Sequence, residues 1–167
     1  MKLHYVSLGC PKNSVDLETI LGGLTGGMEL VEEPETADVA LVNTCAFITS
    51  AKQEAIETIL QLAALKEERP GLKLLVSGCL PQRYRAELEE LLPEVDRFFF
   101  DLDAGVTSAG IAAYLGVAAH PCARRHRLTP RHYAYLRIAE GCDNRCSYCA
   151  IPLIKGPGRS RPLAEIR

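Results

Sequence analysis

The stretch "GCDNRCSYC", residues 141–149, places Cys142, Cys146 and Cys149 within eight residues. In a chain with seven cysteines and no sign of secretion, thiols this close point to metal binding or redox chemistry. Their spacing, CxxxCxxC, is neither the paired CxxC of a zinc ribbon nor the four-cysteine run of a bacterial ferredoxin. It supplies three thiolates to one iron–sulfur cubane and leaves one iron without a protein ligand. An open coordination position is how a metal site admits a substrate. A zinc site and a chance grouping are the alternatives.

Three other cysteines are spread along the chain, and each closes a short apolar run: "SLGC" at Cys10, "VNTC" at Cys45 and "VSGC" at Cys79. If those runs are parallel strands, their carboxyl ends share one edge, where such sheets bind ligands. Cys10, Cys45 and Cys79 should then converge, each just before a helix whose amino end favours a thiolate. The plainer alternative is three small core residues. Zinc and an iron–sulfur cluster are the candidate ligands. Structural zinc takes four ligands, and His4 lies at the wrong end of its strand, so three thiolates suit an incompletely ligated iron–sulfur cluster better. Cys122 matches no motif and is a bystander.

The elements that must position these thiols follow from periodicity. Apolar runs at 3–9, 37–44, 72–78 and 97–100 are strands. Helical patterns follow each of them. In the first helix Asn13 or Ser14 can cap, and Asp16 and Glu18 suit the positive end of the dipole. Lys12 and Asn13 could approach the cluster at the strand ends; the simpler alternative is that Asn13 caps the helix and Lys12 is solvated. The helix over residues 50–69 carries a capping box of Ser50 and Gln53, with Ile56, Ile59, Leu60 and Ala63 on one face. One helix starts at Pro81, with Tyr84, Leu88, Leu91 and Leu92 on one side, and another covers 103–115. Alternating strands and helices predict an α/β fold, an open parallel sheet with helices on both faces: a three-layer sandwich of flavodoxin or Rossmann type. It spans residues 1–117.

Residues 118–131 form a linker. Arg124, Arg125, Arg127 and Arg131, with His126 and His132, are either a solvated surface or a contact for ribosome or RNA. Residues 132–167 open a second domain, with a strand over Tyr133–Gly141 ahead of the tight cysteines. A net charge of −2 gives no general attraction to nucleic acid or anionic membrane. No run approaches the roughly 18 apolar residues of a membrane span, and the start is not a signal peptide. The expectation is a cytosolic protein with no membrane partner.

The string "EGCDNRCSYCAIPLIKGPGRSRP" resembles the radical S-adenosylmethionine signature, CxxxCxφC, with Tyr148 as the aromatic φ. The resemblance implies that S-adenosyl-L-methionine chelates the open iron and is cleaved to a 5′-deoxyadenosyl radical. It also implies that Tyr148 lies near the adenine; packing the loop against the barrel is the alternative role. Behind a three-cysteine α/β domain, the whole chain resembles the methylthiotransferases. That implies two [4Fe–4S] clusters: one at Cys142, Cys146 and Cys149 for the radical, one at Cys10, Cys45 and Cys79 carrying sulfur. The opening "SLGCPKNSVDLE" is similar to the RimO-like type, whose substrate is an aspartate β-carbon in a small-subunit ribosomal protein; Pro11 and Lys12 carry that distinction. The alternative substrate is tRNA, and a non-enzymatic iron–sulfur or zinc module is the further alternative. Sulfur and electron donors are not specified. By the same resemblance, residues 132–167 are only the first strand and cluster loop of a radical (β/α) barrel, so the chain alone is expected to be inactive.

Overall fold

The structure, a computed structural model, describes residues 1–101, 103–120 and 125–166. Cys122 and Arg124 lie outside the described residues. Strand β1 (Lys2–Ser7) leads into helix α1 (Pro11–Leu24), and a short β2 (Glu29–Val31) precedes β3 (Val39–Thr44). Then come α2 (Thr49–Glu68), β4 (Lys73–Gly78), α3 (Cys79–Arg83), α4 (Arg85–Leu91), β5 (Arg97–Phe98) and α5 (Ala104–Leu115). The sheet order is β2-β1-β3-β4-β5 and every pairing is parallel. This is the expected three-layer α/β sandwich, in the flavodoxin-like strand order.

The two faces follow from the alternation of side chains along each strand. Leu3, Leu41 and Leu75 face α1 and α5, packing on Leu17, Leu21, Leu24 and Ile111. Ala40, Val42, Leu74 and Val76 face the other way, toward Ile59, Leu62, Leu80 and Leu88 of α2, α3 and α4. Every residue of β3 is buried, as a central parallel strand covered on both sides must be.

Several local expectations are corrected. β2 went unread, because three edge residues are too few to show a period. α1 opens at Pro11 after Cys10, with no side-chain cap; Asn13 and Ser14 lie inside it. Asp16 and Glu18 sit beyond its first turn and are buried. α2 starts at Thr49 without a side-chain cap. Ser50 and Gln53 are internal, and Gln53 donates to Glu57 at 2.8 Å instead. Its buried face is Ala55, Ile59, Leu62 and Ala63, while Ile56 and Leu60 are exposed. The helix after Pro81 is broken at Tyr84 into α3 and α4, and Leu91 is exposed. α5 is capped by Asp103, whose Oδ1 accepts from the Gly105 and Val106 amides.

Beyond α5 the chain runs along α1. The His126 amide donates to the Glu18 carbonyl at 2.9 Å, and Arg125 pairs with the fully buried Glu18 carboxylate at 3.4 Å. The strand expected over Tyr133–Gly141 shrinks to β6 (Ala139–Glu140), paired antiparallel with β7 (Arg159–Ser160). Helix α6 (Ile151–Lys155) lies between them, and α7 (Leu163–Ile166) follows.

Candidate functional site

The strand order reverses between β1 and β3, since the chain leaves β1 for β2 on one side and resumes at β3 on the other. Ligands bind outside the carboxyl ends of strands at such a reversal. Cys10, Cys45 and Cys79 follow β1, β3 and β4, and all three line one cavity of about 490 Å³ there. Cys10 is exposed, and Cys45 and Cys79 are buried. The convergence expected from the sequence is therefore present in the fold.

Tight turns carry two of these thiols. Gly9 has φ 97°, and a Cβ on it would lie 2.5 Å from the Cβ of Cys45. Gly78 has φ 95°, and a Cβ there would collide with the Thr44 carbonyl. Glycine alone tolerates both the dihedral and the approach. Asn13 then binds the strand ends together. It is 1% exposed, and its Nδ2 donates to the carbonyls of Thr44 at 2.7 Å and Leu8 at 3.3 Å. Its Oδ1 accepts from the thiol of Cys79 at 3.4 Å and lies 3.8 Å from that of Cys10. Asn13 is thus not a helix cap but a buried clamp, beside the strand-end thiols as its alternative reading had it.

Burial pushes the Cys79 thiol up from its ordinary pKa, the nearby Lys155 charge opposes this, and Cys45 and Cys10 reinforce it. Binding of a metal group as thiolate would therefore release a proton here. Among the described residues, no three His, Cys, Asp or Glu side chains close around a single point as one ion would need. Thiolates on a four-iron cluster each hold a different iron, so they must share a cavity rather than a point. Cys10, Cys45 and Cys79 share such a cavity, beside Asn13 and the two glycine turns.

The tight cysteines lie on a separate loop. Gly141 at φ 73° brings the chain against Pro157, the Cys142 amide donates to Gly156 at 3.1 Å, and Asp143 accepts from the Gly158 amide at 2.9 Å. These bonds close the loop. Cys142 and Cys149 are half-buried and Cys146 is exposed. Tyr148 is 86% exposed.

Sequence reasoning missed the other wall of the strand-end cavity. Ile151, Ile154 and Lys155 of α6 line it, together with Phe47, Ile48 and Ala51. Lys155 pairs with Asp16 at 3.1 Å, and Arg137 also pairs with Asp16. Burial lowers the pKa of Arg137, with Glu140 at 3.5 Å opposing. Lys12 stays half exposed, as expected of a solvated lysine, and reaches Glu140 at 3.8 Å. No local pattern in the sequence announces these pairs.

Fold and site together define a parallel α/β domain that presents three thiols at the reversal point of its sheet, with a second thiol loop docked beside them. A family model described as "Uncharacterized protein family UPF0004" matches residues 2–100, and the chain belongs to that family. It is also similar to proteins named "Ribosomal protein uS12 methylthiotransferase RimO". That of Aquifex aeolicus (strain VF5) is 51% identical over 168 residues, covering 99% of this chain and 37% of that protein. That of Sulfurihydrogenibium sp. (strain YO3AOP1) is 46% identical over 167 residues, covering 99% and 38%. That of Heliobacterium modesticaldum (strain ATCC 51547 / Ice1) is 49% identical over 178 residues, covering 99% and 39%. The chain thus spans well under half the length of these relatives. The resemblance to the RimO-like methylthiotransferases is borne out.

Proposed function

We propose that this chain is the front part of a cytoplasmic methylthiotransferase that modifies an aspartate β-carbon of ribosomal protein uS12. One observation carries the reading: relatives bearing that name match 99% of the chain at 46 to 51% identity. The division is residues 1–117 as the three-cysteine domain, 118–131 as linker and 132–167 as the start of a radical barrel, with activity residing only in a longer protein. Two [4Fe–4S] clusters and S-adenosyl-L-methionine, when bound, supply the radical and the methylated sulfur that convert C–H to C–S–CH3.

The chain's own residues have definite parts in this. Cys10, Cys45 and Cys79 hold one cluster, and Cys142, Cys146 and Cys149 the other. Gly9, Gly78 and Asn13 fix the first set of thiols. Lys12 and Lys155 line the cavity and offset the negative charge that thiolates bring. Phe47, Ile48, Ile151 and Ile154 give it apolar walls. Tyr148, exposed beside Cys149, offers a ring face to adenine. Mass spectrometry of uS12 and of tRNA from a strain lacking the gene tests the reading. Loss of the methylthio group from uS12 alone is expected. Loss from tRNA with uS12 unchanged overturns it.

A further inference from the structure

Asp16 lies on α1, the helix that follows Cys10, and is 6% exposed. Its Oδ2 accepts from Lys155 Nζ at 3.1 Å, and its Oδ1 faces the guanidinium of Arg137. Lys155 ends α6, directly after the tight cysteine loop. Arg137 precedes β6, directly before it. One carboxylate therefore grips both stems of the loop that carries Cys142, Cys146 and Cys149.

A second tie runs beside the first. Glu140 of β6 is 8% exposed and pairs with Arg137 at 3.5 Å and with Lys12 of α1 at 3.8 Å. Buried charges are costly, and an apolar contact of the same shape often stabilises as much. A buried pair is best understood through the geometry it specifies. Here it seats α6, whose Ile154 is 4% exposed in the core and whose Ile151 and Lys155 wall the cavity of Cys45 and Cys79.

We infer that Asp16 is a positioning residue: it locks the tight-cysteine loop to the helix following Cys10, fixing the separation of the two thiol sites and holding α6 against the strand-end cavity. The inference rests on the proposed function only for its purpose, since two centres acting in turn on one substrate atom need a constant reach. The geometry does not depend on it.

Amide exchange followed by NMR on the reduced full chain tests this. The Arg161 amide, bonded to the Ile138 carbonyl, reports the β6 stem; the Leu153 and Ile154 amides, bonded to Ala150, report α6. In Asp16→Asn both stems exchange about tenfold faster or more, while amides of β3 and β4 keep their rates. Maleimide labelling of buried Cys79 rises with the opening of α6. Lys155→Met releases the α6 stem alone, and Arg137→Met the β6 stem alone. Unchanged stems in Asp16→Asn overturn the inference, and so does uniform acceleration of sheet and stems in all three variants. If Asp16→Asn alone fails to fold, the two single-stem variants decide: stem-selective release supports the inference, and release of both stems or neither overturns it. No iron, S-adenosyl-L-methionine or turnover enters these measurements, so their failure and a failure of the uS12 assignment are separately visible.

Discussion

The thiol of Cys79 donates to the amide oxygen of Asn13 at 3.4 Å, across 66 positions of sequence. The same side chain donates to the carbonyls after β1 and at the end of β3, so one amide joins the three strand ends that carry cysteine. Asn13→Ala leaves two buried carbonyls without their donor. A loss of about 1–3 kcal/mol in urea unfolding is expected. A loss indistinguishable from that of an exposed surface substitution contradicts the clamp.

Gly9→Ala and Gly78→Ala each place a Cβ where the φ is positive and another chain segment already lies. Each should cost more than about 1 kcal/mol and lower iron uptake at the strand-end site. Gly71→Ala is the control, because nothing lies within 4 Å of its added Cβ. It should stay within about 0.5 kcal/mol of the parent. Equal effects at all three positions would contradict the account of the turns.

The raised pKa of Cys79 makes stability depend on pH in one direction. Below the ordinary thiol pKa, about 8.5, both folded and unfolded chains hold the proton. Between that value and the higher folded value, only the folded chain keeps it. The unfolded state gains, so stability is full below about pH 8.5 and falls as pH rises through the window. Urea midpoints of the metal-free chain from neutral to alkaline pH should show this fall, and Cys79→Ala should flatten it. An identical slope in the variant contradicts the assignment.

Much of this was legible in the residues. "YVSLG", "VALVNT" and "KLLVSG" are apolar on both faces, so they read as buried parallel strands, and parallel strands put their following cysteines on one edge. What was not legible is set by long-range partners. Asn13 looks like a cap because caps are local, yet carbonyls of two strand ends claim its amide. Asp16 looks like a dipole partner, yet its cation is 139 positions away on α6. Ser50 and Gln53 have the spacing of a capping box, but α2 begins two residues too early for it. The strand over Tyr133–Gly141 showed alternation, but Leu136 and Ile138 are exposed and only Ala139–Glu140 pair. Tyr148 was read from its motif alone, and its side chain is exposed beside Cys149.

The central claim is that the thiols at the ends of β1, β3 and β4 jointly hold one inorganic cofactor, separate from that of the tight loop. Anaerobic reconstitution with iron and sulfide, followed by metal and sulfide counting, tests it most directly. The parent chain should bind two four-iron clusters, and a variant with Cys10, Cys45 and Cys79 all changed to alanine should bind one. A folded triple variant that retains the full iron of the parent, or a parent that takes up zinc and no iron, would contradict it.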